Sequence, residues 1–600
     1  MNSGDSRDLS RTLSRRRLLK YSAYATGTAI VSTGLLAACG GSPPAANTPT
    51  TASASTSAAT TSSTAASGSS ATMAASPAAG STTAATTATE ASPVASAAAA
   101  NVKQGGILNM GIQDIGTLNP FVSNTIVENY LLMMLYPTCA SLDEGSNRVP
   151  YVAEKWETSP DGMTHTIHVR KGFMWDDGQP LTAQDVQFIA DFEAKNKFSW
   201  KASLVGSDTI ASMATPDDYT LVVKMAQPFV SFLNEFLFWF RIMPKHVWES
   251  LPDPKTYAND KPIGAGPFKL SQWQKSQFIE FEARKDYNYP PVGRPPYIDK
   301  LIYRIYPDVN TLVLALQNGT IDAAPSGVPA DSVASVKSNP DLDVIHNKST
   351  GYNEVNFNVG VNKYLGDVKV RQALAMAVDK KAIVDLVLKG FGGIMTTSVS
   401  PVLKDWYDPS VKDWPFDIAG GKKLLADAGY NDITLRLEYS SSDANSQKIA
   451  PILKENWEKL GIKITLDAQD GNALYDRVRF KHDFDIWFSG WGIEDDPPFG
   501  YYANYYSGQY QPGSNNMIGL KDDAFDAMIL KAYHAASLDE AKGYVKQLQA
   551  MEHQLLPAII LYYPEFNLAY NKKRWDGFHV LPGSLMGIAS YQSMLNVHQL

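Results

Sequence analysis

The chain has 600 residues, of which 44% are hydrophobic and 11% aromatic, so it can bury a large core. Its formal net charge is −8 at pH 7, and no dense run of Lys and Arg lies beyond the N-terminal segment, which excludes the usual signature of a nucleic-acid-binding protein. Cys39 and Cys139 are its only cysteines, so a modification of Cys39 leaves no disulfide within the chain.

Residues 1–39 have the order of an export signal. Arg15 and Arg16 open a basic stretch, an uncharged segment follows at 21–38, and small residues precede Cys39. The pattern resembles a twin-arginine lipoprotein signal in which Cys39 is the lipidated first residue of the mature chain. The alternative is a membrane-spanning helix, which the abundance of Ala, Gly, Ser and Thr in this segment disfavours.

Residues 40–102 consist mainly of Ala, Thr, Ser, Gly and Pro, and Glu90 is the only acidic residue among them. Such a composition has little to bury and predicts a disordered tether, whose ends would lie roughly 40–50 Å apart as a flexible coil. An O-glycosylated stalk is an alternative with the same consequence. Either form keeps the folded part near a membrane without embedding it.

The folded part begins after Lys103, and strand and helix patterns alternate along it. A Pro-Asp-Gly turn precedes one strand, and Thr182 caps a helix with Asp185 in its first turn. We expect the aromatic stripe at 230–240 to be core. The elements predicted in the first half are strands at 106–112, 163–170 and 219–225, and helices at 126–135 and from 182.

The second half gives the clearest helix pattern of the chain, a single helix at 370–389. Another helix is predicted at 418–428, ended by Gly429. Strands at 433–439 and 463–468 flank a helix at 446–460 and so form a β-α-β unit. The parallel pairing of such a unit indicates an α/β fold with a sheet buried on both faces.

The sequence carries no short catalytic or cofactor motif: no His-Glu-x-x-His, no phosphate-binding loop, no Gly-x-Ser-x-Gly and no Gly-x-Gly-x-x-Gly. His165 and His168 lie three apart on a predicted strand and so face opposite ways, which makes them poor joint metal ligands. Asp176 and Asp177 precede Gly178 and read as a turn. No cofactor and no metal are expected.

The acidic run Glu494-Asp495-Asp496 follows Trp491 in an aromatic stretch. In a cleft that excludes water, one of these carboxylates can pair with a ligand ammonium. The alternative is a solvated loop or a helix N-terminus. An exported hydrolase using these carboxylates is a further alternative, but three consecutive residues on one loop rarely face each other across a substrate.

Several ordered motifs connect the chain to a known family. They are Val152-Ala153-Glu154-Lys155-Trp156-Glu157, Trp175-Asp176-Asp177-Gly178, Gly264-Ala265-Gly266-Pro267-Phe268, Asp367-Val368-Lys369-Val370-Arg371-Gln372-Ala373-Leu374, and Phe484-Asp485 before Gly490-Trp491-Gly492. With these motifs the chain, from about Lys103 to its C-terminus, resembles the family 5 extracellular solute-binding proteins of ABC importers, which include dipeptide, oligopeptide and nickel binders.

The resemblance implies a two-lobed periplasmic-binding-protein-like fold of type II with an inserted subdomain. The boundaries it implies are 103–147, 263–353 and 567–600 for the first lobe, 148–262 for the inserted subdomain and 354–566 for the second lobe. Residues 356–358 and 561–563 would be the two crossings between lobes, which would act as hinges.

The function implied by the resemblance is capture of a peptide or peptide-like solute by hinge closure, followed by delivery to an ABC permease. An oligosaccharide or a nickel chelate is the alternative ligand, and an adhesive or scaffold lipoprotein is an alternative of another class. The protein is expected to be a monomer and not an enzyme. Its expected location is the outer face of the cytoplasmic membrane or the periplasm.

The resemblance also implies site residues. Peptide-binding relatives hold the α-amino group with an acidic residue shortly after the motif tryptophan, and Glu494 occupies that position, with Asp495 as the fallback. Phe488 stands where some oligopeptide binders have an arginine for the ligand carboxylate. Arg477 and Arg479 are possible substitutes, although their segment also reads as a solvated helix face. The predicted ligand-binding residues are Glu494, Asp495, Asp496, Trp491, Tyr352, Asn358 and Arg479.

Overall fold

A computed structural model describes residues 102–123, 125–143, 147–196, 200–290, 292–491, 496–581, 583 and 587–600. The predicted export signal, with Arg15, Arg16 and Cys39, and nearly all of the predicted tether lie outside these residues. Among the described residues, no helix combines the length and the apolar character needed to cross a membrane.

The strands within the described residues are, in chain order, β1 (Ile107–Ile112), β2 (Ala140–Leu142), β3 (Arg148–Pro150), β4 (Ala153–Thr158), β5 (Thr164–Val169), β6 (Ile210–Asp217), β7 (Thr220–Met225), β8 (Phe268–Gln274), β9 (Phe278–Ala283), β10 (Lys300–Ile305), β11 (Ala323–Ala324), β12 (Leu342–Lys348), β13 (Tyr352–Phe357), β14 (Gly392–Ile394), β15 (Ile433–Ser440), β16 (Ile462–Gln469), β17 (Ile486–Trp491), β18 (Ala558–Asn571), β19 (Trp575–Asp576) and β20 (His598–Gln599).

The α-helices within the same residues are α1 (Ile126–Leu135), α2 (Ala183–Asn196), α3 (Phe232–Trp239), α4 (Lys245–Trp248), α5 (Val309–Gln317), α6 (Val333–Lys337), α7 (Val368–Met376), α8 (Lys380–Leu386), α9 (Ile418–Asp427), α10 (Ala444–Lys459), α11 (Gly471–Lys481), α12 (Pro497–Tyr505), α13 (Asp523–Tyr533), α14 (Leu538–Leu555) and α15 (Tyr591–Asn596).

Aspartate side chains start many of these helices by accepting a hydrogen bond from a backbone N–H of the first turn, which satisfies a donor that the helix itself leaves unpaired. The capping residues of this kind are Asp308, Asp367, Asp379, Asp417, Asp443, Asp496 and Asp522.

The strands form one large sheet and a separate four-stranded antiparallel sheet. The large sheet has the order β16-β15-β17-β13-β18-β11-β1-β10-β9-β8, and β12 and β14 also pair with β18. The separate sheet, ordered β4-β5-β7-β6, lies in the segment predicted as an inserted subdomain. The parallel pairing of β15 with β16 around α10 confirms the predicted β-α-β unit.

Strand β18 divides the large sheet into two parts. Its first half pairs with β13 and β14, and from Glu565 onward it pairs with β12 and β11. We call β1 and β8–β12 the first sheet, and β13–β17 the second sheet. The chain also passes between them at 349–351, between β12 and β13, which is N-terminal to the predicted crossing at 356–358. The predicted domain boundaries remain a prediction.

The parallel strands of both sheets end at the junction between the sheets. In the second sheet, β15, β16 and β17 run in the same direction as β18, toward the first sheet. In the first sheet, β1, β10 and β11 run antiparallel to β18, toward the second sheet. The carboxyl ends of the two sets of parallel strands therefore face each other.

Two of the motifs hold the segment predicted as an inserted subdomain, 148–262, close to α1, and we call this segment the inserted segment. A Cβ at Gly264 or Gly266 would overlap the carbonyl oxygens at the end of α1, so this loop can approach the helix only without side chains. The Gly264 N–H donates to Asp176 Oδ2 at 3.0 Å. Asp176 thus acts within a turn, as predicted, and also ties that turn to the glycine-rich loop.

The single helix predicted at 370–389 is wrong. The structure has two helices, α7 and α8, because Asp379 accepts a hydrogen bond from the Ala382 N–H and so starts a new helix. The apolar periodicity continues through both helices, since Ala373, Leu374, Ile383 and Val384 are all buried in the core of the second sheet. The pattern predicted the buried residues correctly and missed the break.

Candidate functional site

Strand β17 ends at Trp491, at the junction of the two sheets. Trp491 lies opposite Tyr352 in the antiparallel register with β13, and the neighbouring Asn353 pairs with Tyr562 of β18. Tyr352 is buried among aromatic side chains that include Tyr501 and Tyr505. In α/β folds, ligands bind in the crevice beyond the carboxyl ends of parallel strands, and Trp491 occupies such a position.

The indole of Trp491 is fixed by a buried glutamate. Trp491 Nε1 donates to Glu354 Oε1 at 2.7 Å, and Asn356 Nδ2 donates to the same oxygen at 2.9 Å. Glu354 is 2% exposed, and burial raises its pKa to about 6. Its Oε2 has no hydrogen-bond partner among the described residues. Sequence analysis missed Glu354, whose only signal is an acidic residue within a strand of buried side chains.

A second buried glutamate lies nearby. Glu552 of α14 is 2% exposed and accepts hydrogen bonds from Tyr501 Oη at 2.5 Å and from the Ser398 N–H at 2.9 Å. Burial raises its pKa to about 7, and the charge of Glu354 adds to the increase. Two carboxylates on the same side of the second sheet are therefore biased toward their protonated forms.

The structure describes only the last residue of the acidic run. Glu494 and Asp495 lie outside the described residues, and their predicted roles remain predictions. Asp496 is 5% exposed and caps α12, where its Oδ1 lies 3.3 Å from the Phe499 N–H. Its position matches the helix N-terminus considered as the alternative, and a role in ligand binding stays a prediction.

The two arginines considered as carboxylate anchors make other contacts. Arg477 forms ion pairs with Glu438 at 2.7 Å and Asp467 at 3.4 Å. Arg479 donates from Nε to the Gly513 carbonyl at 2.7 Å and from Nη1 to the Tyr475 hydroxyl. The contacts found among the described residues do not bring Arg479 to Trp491.

Asn358 lies at the other end of β13 from Tyr352. The two residues are six positions apart on extended chain, which is roughly 20 Å. Asn358 Nδ2 donates to the carbonyls of His482 and Phe484, both at 2.8 Å, so these bonds tie the end of β13 to the segment before β17. Phe488, where some relatives have arginine, is buried in the core of the second sheet. Neither residue lies beside the indole of Trp491.

The histidines of β5 have different surroundings. His165 is buried, stacks on Phe232 with ring centroids 5.2 Å apart, and has its pKa lowered by burial to about 4. His168 lies 3.8 Å from Glu157. Within the described part of the chain, no group of three or more His, Cys, Asp or Glu side chains is placed to hold a metal ion.

Comparison with known proteins adds to this geometry. Residues 147–513 match the family model described as bacterial extracellular solute-binding proteins, family 5 Middle. The chain is 28% identical over 500 residues to the oligopeptide-binding protein AppA of Bacillus subtilis, covering 79% of this chain and 89% of AppA. It is 27% identical over 438 residues to the dipeptide-binding protein of Escherichia coli, covering 69% of this chain and 80% of that protein.

Two solved structures share the fold. The B. subtilis AppA structure in complex with a nonapeptide superposes with a TM-score of 0.73 at 25% identity, covering 83% of this chain and all of AppA. The periplasmic binding protein DppA of Helicobacter pylori, in complex with the peptide STSA, gives a TM-score of 0.72 at 23% identity and covers 83% and 98% of the two chains. The predicted α/β fold of the periplasmic binding proteins is confirmed.

Proposed function

The chain belongs to the bacterial extracellular solute-binding proteins of family 5, and from this membership we propose that it captures a peptide or peptide-like solute between its two sheets and delivers it to the permease of an ABC importer. The observation that carries the proposal is the position of Trp491. It ends β17 where the carboxyl ends of both sets of parallel strands meet, and Glu354 holds its indole there. The proposed ligand anchors, Glu494 and Asp495, follow it three and four positions later in the sequence.

We assign the ligand ammonium to Glu494, with Asp495 as the second choice. Residues at the end of a strand project into the crevice where ligands bind in α/β folds. A carboxylate that pairs with an ammonium away from water forms a stronger hydrogen bond than neutral groups do. A micromolar dissociation constant corresponds to about −8 kcal/mol, which one such pair and several backbone hydrogen bonds can supply after the entropy of closure is subtracted.

Closure is proposed to occur at the two passages between the sheets. The passages at 349–351 and at Pro564 and Glu565 are each a few residues long, which suits hinges. The proposed lobes are those implied by the resemblance, with 148–262 inserted in the first. The functional unit is proposed to be a monomer, and no bond of the solute is made or broken.

The proposed location is the outer face of the cytoplasmic membrane. Arg15 and Arg16 would direct export, and a lipid on Cys39 would anchor the protein. Residues 40–102 would then let the binding domain reorient beside its permease.

Isothermal titration calorimetry with a panel of di- to pentapeptides tests the proposal. We expect micromolar or tighter binding of at least one peptide, and Glu494→Gln should weaken it by about ten-fold or more because the variant loses the charge that pairs with the ammonium. N-acetylation of the same peptide should weaken binding to the wild type and much less to the variant. The peptide assignment would be contradicted if no peptide gave heat of binding and mass spectrometry of the ligand retained on purification found a sugar or a nickel chelate.

A further inference from the structure

Residues 228–231, between β7 and α3, leave the four-stranded sheet and lie against α13. We call them the clasp segment. The Val230 N–H donates to the Tyr533 carbonyl at 3.4 Å, and His534 Nδ1 lies 2.7 Å from the Pro228 carbonyl. The Phe229 ring stacks on Tyr533 with centroids 4.2 Å apart. The clasp segment therefore joins the inserted segment to a helix more than 290 positions further along the chain.

The aromatic contact extends into α12. Tyr533 stacks on Tyr502 with ring centroids 3.9 Å apart, so Phe229, Tyr533 and Tyr502 form one continuous stack. Tyr502 packs against the core cluster that the four-stranded sheet shares with the first sheet, as well as against the cluster around Tyr501 and Phe525. Helix α12 starts immediately after the acidic run, which places this contact next to the proposed ligand anchors in the sequence.

Ser231 makes the polar contact of the clasp segment. It occupies the N-cap position of α3 but makes no side-chain hydrogen bond to that helix. Its hydroxyl donates instead to Asp496 Oδ1 at 2.5 Å, and both residues are buried. Because Asp496 also caps α12, one carboxylate lies at the N-termini of two helices, where both helix dipoles stabilise its negative charge.

We propose that Asp496 is a positioning residue, and that its bond to Ser231, with the clasp segment, fastens the inserted segment to α12 and α13 when the cleft closes. The inference deepens the proposed function and rests on it. Any contact made only in the closed form raises the population of that form and so raises ligand affinity. Asp496 then acts on the ligand through closure, while Glu494 or Asp495 touches it.

Ser231→Ala is the test variant, and Ser507→Ala is its matched control. Ser507 Oγ donates to Asp526 Oδ2, also at 2.5 Å, but both residues belong to the same side of the cleft. With the tightest-binding peptide of the panel, Ser231→Ala should weaken binding about ten-fold, mainly through faster dissociation, as expected for loss of a hydrogen bond to a charged group. Ser507→Ala should stay within two-fold, and equal effects of the two variants would overturn the proposal.

Asp496→Asn keeps a residue that caps helices well, so it separates the two roles of the carboxylate. It should weaken binding by less than Ser231→Ala does, because its amide oxygen still accepts from the Ser231 hydroxyl but carries no full charge. The double variant should bind about as weakly as Ser231→Ala alone because both changes act on the same contact. Additive losses would show that Asp496 acts on the ligand independently of Ser231 and would overturn the assignment.

A second measurement does not depend on the ligand. Dyes on cysteines placed at the exposed Lys224 and Lys531, in a background with Cys39→Ala, report the distance between the four-stranded sheet and α13. Ser231→Ala should lower the efficiency of fluorescence resonance energy transfer between the two dyes, and Ser507→Ala should not. Identical energy-transfer efficiencies in the wild type and Ser231→Ala would overturn the proposed role of the clasp segment. Failure of every peptide to bind the wild type would contradict the proposed function, and the energy-transfer measurement would then test the clasp segment alone.

Discussion

Glu354 and Glu552 are buried carboxyl groups near Trp491 that the sequence pattern does not predict. Each is 2% exposed, and burial raises the pKa of each, to about 6 and about 7. Each also accepts hydrogen bonds, from Trp491 and from Tyr501, which partly offset the loss of water. The site therefore contains two carboxyl groups that change charge near neutral pH.

The raised pKa of Glu552 predicts a pH dependence of stability. An acid whose folded-state pKa lies above its unfolded value contributes stability at low pH that is lost as the pH rises through the folded pKa. For Glu552 the loss falls between about pH 4.5 and pH 7 and amounts to about 3 kcal/mol. Urea unfolding of Glu552→Gln, compared with the wild type at pH 5 and pH 7.5, should show a flatter pH dependence in the variant.

Comparing Glu552→Gln with the wild type separates the titration of Glu552 from that of other groups that titrate in the same pH range. The pKa of the buried His165 is lowered to about 4, so His165 makes the protein more stable as the pH rises toward 6.5, and both proteins share that effect. A variant whose free energy of unfolding changes with pH as much as that of the wild type would contradict the assignment to Glu552.

Sequence analysis reached Trp491 and the acidic run through motifs, yet it missed Glu354. Strand alternation predicts which face a residue occupies, but the polar partners that make a buried glutamate tolerable lie elsewhere in the chain. Ser489, whose hydroxyl lies 3.4 Å from Glu354 Oε1, is 135 positions away. Such a pairing depends on strand register, which this sequence does not reveal.

At the scale of elements, Arg371 gives the motif around it a structural role. Arg371 of α7 is 2% exposed and donates to four carbonyls, those of Leu365 at 2.6 Å, Gly366 at 3.1 Å, Leu555 at 2.6 Å and Leu556 at 3.0 Å. Leu556 has φ of +47° and ends α14 just before β18 begins. The guanidinium thus satisfies the carbonyls at a helix end that leads into the strand joining both sheets.

Arg371→Lys should destabilise the protein although it keeps the charge. A lysine ammonium cannot reproduce the planar fork that serves four carbonyls, and a buried carbonyl left without a donor costs about 1–3 kcal/mol of stability. We expect the free energy of unfolding to fall by about 2–4 kcal/mol in urea titrations. Lys423→Arg, at an exposed ion pair with Asp427, is the control and should change it by less than about 0.5 kcal/mol. Equal effects would contradict this role.

Local sequence signals explain which helices and strands could be predicted. Helices with a clear apolar stripe and an end signal, such as α9 before Gly429, appear with nearly the predicted bounds. The break between α7 and α8 was missed because a capping aspartate changes the backbone without changing which side chains are buried. The long strand β18 was not predicted as one element, since its two halves pair with different sheets.

At the scale of the whole molecule, local patterns predicted an α/β protein, and the resemblance supplied the two-lobed arrangement. Composition and periodicity contain no information on sheet order, in which β13 and β18, far apart in the sequence, lie side by side. The segment 148–262 carries its own sheet and returns to the first sheet at the Gly264 loop. Because all of this lies after residue 102, binding and anchoring are expected to be separable.

Cys39→Ala should separate them. The variant loses the thiol that would carry the lipid, and Cys39 lies outside the described residues that form the candidate site. In the native host, we expect the wild type in the membrane fraction and the variant in the medium or the soluble envelope fraction, with labelled palmitate incorporated only by the wild type. Peptide affinity measured on the two purified proteins should agree within two-fold. Retention of the variant in the membrane fraction after a carbonate wash would instead indicate that residues 21–38 remain as a membrane-spanning anchor.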